Sequence, residues 1–242
     1  MILVIFDIDG TLTDTSEIDH HCFQKTYEHL FGLNWDDFNW NNIYHVSDSG
    51  LANSYFMTTH NRLPNPNELS LLQETFMDYL SSAYKTSPSK FKAVAGARKI
   101  LKHMAKTQKY HIALATGCWE VSANYKLNAA QIEFDKLPLA HADHHFDRAE
   151  ILRKAIQLSI HDKGQLEQVV YIGDGIWDAK TTNRINIPFV GIDYHRDGIL
   201  KSFGTEMIIR DYSDVEIFES AIERSIINFN KNENHGHHRN FS

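Results

Sequence analysis

Cysteine is scarce. Only Cys22 and Cys118 occur among 242 residues, too few for a disulfide scaffold, and both read as plain buried thiols. No stretch approaches the ~20 consecutive apolar residues that a membrane-spanning helix needs. The opening run Ile2-Leu3-Val4-Ile5-Phe6 is cut short by Asp7. It has no basic leader and no small-residue cleavage site, so no signal peptide is expected and the cytoplasm is the default compartment. Basic charge is also in deficit: 24 Lys and Arg stand against 31 Asp and Glu, for a net charge of -7. That argues against a nucleic-acid binder, which normally shows a basic face. A small phosphorylated partner stays open, because a bound cation can supply positive charge locally. No Cys/His set has zinc spacing, no internal repeat occurs, and no heptad run or basic arm speaks to oligomeric state.

What is present is ordinary globular stock, 42% hydrophobic and 23% charged, enough for a sizeable core. Short unbroken apolar runs at Ile2 to Phe6, Ile112 to Ala115, Val169 to Ile172 and Phe189 to Ile192 read as strands buried on both faces. Leu137 to Ala140 is a weaker fifth. Helical spacing follows at Ala97, Ile100, Leu101 and Met104, again from Ala149 to Leu158, and at Val215, Phe218, Ala221, Ile222 and Ile226. Strand and helix in alternation predict an α/β fold, a doubly wound parallel sheet of Rossmann-like type, with ligands at the carboxyl ends of the strands.

Residues 15–91 are too many for one crossover helix. Helical stretches near 16–31, 48–58 and 67–85, an aromatic segment at Trp35, Phe38 and Trp40, and the breaks Asn65-Pro66 and Ser87-Pro88 suggest an inserted helical cap. The core is then 1–14 together with 92–229. Residues 230–242, with His235, His237 and His238, read as a flexible polar tail.

The chemistry gathers at the strand ends. The first strand runs into Asp7-Ile8-Asp9-Gly10-Thr11, two carboxylates one residue apart that repel each other without a cation. The second runs into Thr116-Gly117, whose hydroxyl and backbone N–H groups can grip a phosphate oxygen. A later strand runs into Gly173-Asp174-Gly175-Ile176-Trp177-Asp178. Carboxylates from two strand ends make an oxygen-rich cluster, and hard oxygen ligands select Mg²⁺.

DIDGT, IALATG and GDGIWD, in this order and separation, resemble the motifs of the haloacid dehalogenase-like superfamily, in its helical-cap phosphatase and phosphoglucomutase-like subclass. The resemblance covers the chain to about residue 229. It implies a Mg²⁺-dependent phosphatase acting on a small phosphorylated metabolite. Asp7 is the implied nucleophile, forming an aspartyl-phosphate, and Asp9 the general acid and base. Asp7, the backbone carbonyl of Asp9 and Asp174 are the implied metal ligands, with Asp178 orienting the metal's water shell. Thr116 and Gly117 are the implied phosphate grip. The family's usual lysine between its second and fourth motifs is missing: Lys136 comes too early and Lys154 lies inside a helix. Arg148, at the expected helix edge, is the cationic substitute. In the insertion, His45-Val46-Ser47-Asp48-Ser49-Gly50 resembles the loop that reads the leaving group, making Asp48 and Ser49 candidate substrate contacts; the same residues also suit a helix N-cap. His141, His144 and His145 read as exposed loop histidines. A sugar-phosphate mutase, a phosphonate hydrolase with Lys25 as a distant Schiff-base candidate, and a non-catalytic binding module are the alternatives.

Overall fold

The computed structural model describes residues 1–37, 46–163 and 166–236, without the side chains of 161–163 and 232–236. Phe38, Trp40, His45, His237 and His238 therefore lie outside the described residues. In chain order the elements are β1 (Ile2–Phe6), β2 (Thr13–Asp14), α1 (Ser16–Phe31), α2 (Asp48–His60), α3 (Pro66–Thr86), β3 (Lys92–Ala93), α4 (Ala97–Lys106) and β4 (Tyr110–Ala115). They continue with α5 (Glu120–Ala129), β5 (Leu139–Ala140), α6 (Arg148–Lys163), β6 (Gln168–Gly173), α7 (Ile176–Ile185), β7 (Phe189–Ile192), α8 (Ile199–Ser202), β8 (Ile208–Ile209) and α9 (Val215–Gly236).

The apolar runs behave as buried strands do. Successive β1 side chains point to opposite faces. Val4 and Phe6 enter the core beneath α4, α5 and α9, while Leu3 and Ile5 join Ile151, Leu152 and Ala155 of α6 on the other face. Six strands form one sheet in the order β5-β4-β1-β6-β7-β8, and every pair in it is parallel. Because β1 lies between β4 and β6, the order in which strands are added reverses beside it, β4 and β5 on one side and β6, β7 and β8 on the other. This switch point is where an open α/β sheet leaves a crevice beyond its strand ends.

Helices α1, α2 and α3 fill the gap between β1 and β4. β2 and β3 pair antiparallel, Thr13 with Ala93 and Asp14 with Lys92, so the segment leaves and rejoins the core through one narrow ribbon. Its own core holds Phe23, Tyr27, Phe56, Leu72, Phe76 and Leu80, each contributing about 1.5–3 kcal/mol of apolar burial. Trp119, between β4 and α5, inserts into this second core. α3 begins with Pro66 behind an Asn65–Glu68 capping box, as the Asn-Pro break suggests.

Two differences from the sequence reading have physical causes. α5 and α7 carry little apolar periodicity, because their buried faces include Ser122 and Lys126 in one and Asp178 and Thr182 in the other. α9 runs on to Gly236, into the stretch expected to be a tail from residue 230, since no Pro or Gly interrupts the chain from Val215 until that glycine.

Candidate active site

Asp7 leaves β1 with its N–H bonded to the Ile172 carbonyl of β6, at 2.9 Å. That bond carries the β1–β6 ladder one residue further and brings Asp7 beside the loop after β6. The carboxylate oxygens of Asp7, Asp174 and Asp178 lie within 4.8 Å of one another. Arg148 stands at the first position of α6, where the Asp147 carboxylate accepts the Ala149 N–H at 2.9 Å. One terminal nitrogen of its guanidinium donates to Asp7 at 2.9 Å and to Asp178 at 2.8 Å, and the other donates to the Val46 carbonyl at 3.1 Å. Asp178 also accepts the Gly175 N–H at 3.0 Å, so it closes the start of α7 while it holds Arg148.

Two glycines make this approach possible. Gly10 has φ +72°, and a Cβ there would fall 1.8 Å from an Asp174 carboxylate oxygen. A Cβ on Gly117 would meet Arg148 at 2.3 Å. Side chains at these positions would push apart the groups that converge.

Three carboxylates, Asp7 and Asp178 buried and Asp174 half-buried, share one guanidinium's worth of positive charge, and the imbalance shows in their proton affinities. Burial raises Asp7 to about 7; Arg148 opposes the rise, and Asp178 and Asp9 add to it. Burial, then the charges of Asp178 and Asp7, push Asp174 well above the ordinary carboxylate range. An all-oxygen set with unbalanced negative charge fits a hard divalent cation, which relieves the repulsion. Asp7, Asp174 and Asp178 are the residues that would hold it.

The side chain of Asp9 turns away from this group. One oxygen accepts from Lys126 Nζ at 2.5 Å and from Cys118 Sγ at 2.9 Å, and the other from Thr15 Oγ1 at 2.5 Å. Burial raises its proton affinity, but Lys126, Cys118 and Thr15 together overcome that and leave it below the ordinary range. Lys126 also pairs with Asp19 of α1. The sequence reading missed both residues. Lys126 occupies a fully buried position, and a lysine in a short, weakly patterned helix gives no sign of which way it faces.

Thr116 sits at the end of β4, 2% exposed, and its hydroxyl accepts the Cys118 N–H at 3.2 Å. The Gly117 carbonyl accepts the Asp48 N–H at 2.7 Å. The Asp48 carboxylate accepts the Trp119 N–H at 2.9 Å, and Ser49 Oγ accepts from the Trp119 indole at 2.9 Å. Ser47 caps α2 by accepting the Gly50 N–H at 3.1 Å, so the cap reading of this segment holds. Asp48 faces the cavity, but Ser49 clasps Trp119 and is not among the cavity's lining residues. His141 differs from expectation: it is buried, 3.0 Å from Asp143.

A cavity of about 170 Å³ joins these parts, lined by Asp7, Asp9, Thr116 and Arg148 from the core and by Asp19, His20, Phe23, Asp48 and Leu51 from α1 and α2. A hollow of about 240 Å³ near β7 and α9, with Phe189, Met207 and Phe229 in its wall, offers no paired carboxylates. The chemistry therefore belongs to the smaller cavity.

Comparison with known families gives a match to "Haloacid dehalogenase-like hydrolase" over residues 4–192. No curated protein matches the chain. Among solved structures, a hydrolase from Pseudomonas syringae is similar with TM-score 0.65 and 19% identity, covering 89% of this chain and 96% of that one. CbbY from Rhodobacter sphaeroides, solved in complex with phosphate, gives TM-score 0.62 and 16% identity over 88% and 95%. A predicted phosphatase from Clostridium acetobutylicum gives TM-score 0.60 and 20% identity over 92% and 98%. At such identities these likenesses concern the fold.

Proposed function

Given that the chain belongs to the haloacid dehalogenase-like hydrolases, we propose that it is a phosphatase, cleaving a small phosphorylated metabolite through an aspartyl-phosphate on Asp7, with Mg²⁺ as cofactor. The observation that carries this reading is the meeting of Asp7 with Arg148, Asp174 and Asp178 beyond adjacent parallel strands. Phosphoryl transfer asks for positioning and charge neutralisation above all. A bound Mg²⁺ supplies positive charge that screens the phosphate from the carboxylates.

The residues divide the work. An Asp7 carboxylate oxygen attacks phosphorus, and the bond from phosphorus to the alcohol oxygen breaks. Arg148, already bonded to Asp7, offers its guanidinium to the phosphate oxygens, and Thr116 and the N–H of Gly117 hold the others. Asp9 delivers a proton to the departing oxygen. The arriving phosphate dianion raises the proton affinity of Asp9, which is low without it. In the second half Asp9 takes a proton from water, and that water's oxygen displaces Asp7 from phosphorus. The 15–91 segment acts as the cap that excludes bulk water.

The cavity bounds the substrate. Its volume suits a small ester, and its lining adds the carboxyl groups of Asp19 and Asp48 to those of Asp7 and Asp9. His20 there has its proton affinity lowered by burial and by His21, so it adds no fixed positive charge at neutral pH. This acidic lining disfavours an alcohol portion that carries its own carboxylate. Lys126 is held as an ammonium well above its ordinary range, where burial is outweighed by Asp19 and Asp9. It lacks the free amine that a Schiff base for phosphonate cleavage needs, and Lys25 pairs with Glu28 on the exposed face of α1.

The test is turnover of p-nitrophenyl phosphate with and without Mg²⁺, followed by a panel of phosphate esters. Mg²⁺-dependent release of phosphate, faster from polyol phosphates than from phosphoglycolate, is expected. Absence of turnover on every ester overturns the reading, and product analysis showing phosphate returned to a sugar assigns a mutase instead.

A further inference from the structure

We infer that Lys126 is a positioning residue whose ammonium ties Asp9, at the mouth of the core sheet, to Asp19 on the first helix of the insertion. Asp9 is thereby held in this one orientation, on which its proton transfer depends, only while α1 is seated. The inference rests on the proposed role of Asp9.

Three elements meet on one nitrogen. Lys126 projects from α5, Asp9 follows β1, and Asp19 lies in the first turn of α1. The nitrogen reaches Asp9 at 2.5 Å and Cys118 Sγ at 3.1 Å, and pairs with Asp19. Asp9, Asp19 and Cys118 have ligand atoms within 4.8 Å of one another, a grouping able to hold a metal ion, yet here the protein's own lysine bonds all three. Thr15, immediately before α1, grips the other Asp9 oxygen. Both oxygens of Asp9 are thus held by donors, one set anchored in the core and one at the start of α1.

Stability alone is a poor reason for such an arrangement. Burying an ammonium between carboxylates costs several kcal/mol per ion in desolvation, and an apolar side chain of similar volume often serves a fold as well. What the ammonium supplies is direction. It fixes the rotamer of Asp9 and makes that rotamer depend on the placement of Asp19. Withdrawal of α1 removes the Asp19 and Thr15 contacts together, leaving Asp9 drawn to Lys126 and Cys118 alone.

The experiment uses the full chain with Lys126→Met, Asp19→Asn and the double variant. Turnover is measured on p-nitrophenyl phosphate, whose leaving group needs little protonation, and on an alkyl phosphate, whose leaving group needs it. Lys126→Met is expected to lower kcat on the alkyl ester about 100-fold, within the range of general acid–base contributions. KM changes little, and the loss on the aryl ester is smaller. Asp19→Asn shifts the alkyl-to-aryl ratio the same way by about tenfold, and the double variant is no worse than Lys126→Met, because both changes cut one tie. Equal losses on the two esters, or strictly additive losses, overturn the inference. Should Lys126→Met fail to fold, Asp19→Asn decides: an unchanged alkyl-to-aryl ratio overturns it. Amide exchange over residues 15–19 reads the tie without turnover. Faster exchange in Asp19→Asn supports it, and unchanged protection overturns it. A wild-type chain inactive on every ester, with exchange still accelerated in the variant, refutes the phosphatase reading and leaves the tie between α5 and α1 standing.

Discussion

Around Asp7, three carboxylates gather with one guanidinium, which pairs with Asp7 and Asp178; around Asp9, two carboxylates and a thiol face one ammonium. The clusters adjoin, two residues apart in sequence, but they meet repulsion in different ways. In the first, burial and neighbouring carboxylates raise Asp7 to about 7 and push Asp174 well up, a mark of negative charge still to be neutralised. In the second, Lys126 and the hydrogen bonds from Cys118 and Thr15 keep Asp9 low despite its burial. The charge left over in the first cluster is what the proposed Mg²⁺ would neutralise. The second cluster carries its own cation and uses it to hold a side chain in place.

Four changes test that contrast, and a fifth, outside both clusters, serves as its control. The largest effect falls on Asp7→Asn, which keeps the shape and removes the proposed nucleophile; kcat on any phosphate ester is expected to fall at least about 10⁴-fold, with an unchanged circular dichroism spectrum. Residual turnover near the wild-type rate would show that the first cluster is not the reacting one. Chelation comes next: removal of divalent ions should abolish turnover, and Mg²⁺ should restore it. The sign with pH follows from Asp7. Its folded value, about 7, lies above the ordinary 3.8. The stability that its proton contributes is therefore full below the unfolded value and lost as pH rises through about 7. Mg²⁺ must displace that proton, so its apparent affinity should fall about tenfold per pH unit below 7. Calorimetric titration at pH 5, 6 and 7 checks this, and a flat series breaks the contrast between the clusters.

Arg148→Met strips the first cluster of its fixed cation. Breaking a buried pair on one side costs about 3–5 kcal/mol, so urea unfolding should show a markedly lower midpoint, recovered in part by Mg²⁺. Ser47→Ala lies outside both clusters. It removes the α2 N-cap and a 2.6 Å hydrogen bond to the Phe146 carbonyl, at about 1 kcal/mol, read as a shift in denaturant midpoint with kcat retained.

Much of the first cluster was legible because its residues ride on strong local signals. Asp7, Asp174 and Thr116 each follow an apolar run that ends abruptly, and parallel strands present such ends on one side of the sheet. Arg148 was legible from its place at a helix start. The second cluster was not. Lys126 and Asp19 lie more than one hundred residues apart, in helices from different parts of the fold, and each alone reads as an ordinary surface charge. Ser49 misled for a related reason: a hydroxyl beside Asp48 suggests a substrate contact, and only the position of Trp119 shows where it is spent.

The sequence by itself determined the parallel sheet, the helical insertion and the acidic strand ends, because apolar runs and the residues that break them act over a few neighbours. Only the tertiary structure decided which charges meet: that Arg148 reaches both Asp7 and Asp178, and that Lys126 is buried between Asp9 and Asp19. The reason is range. Strand and helix propensities are fixed by local sterics and burial pattern, whereas a side chain's electrostatic partner depends on packing that joins distant parts of the chain.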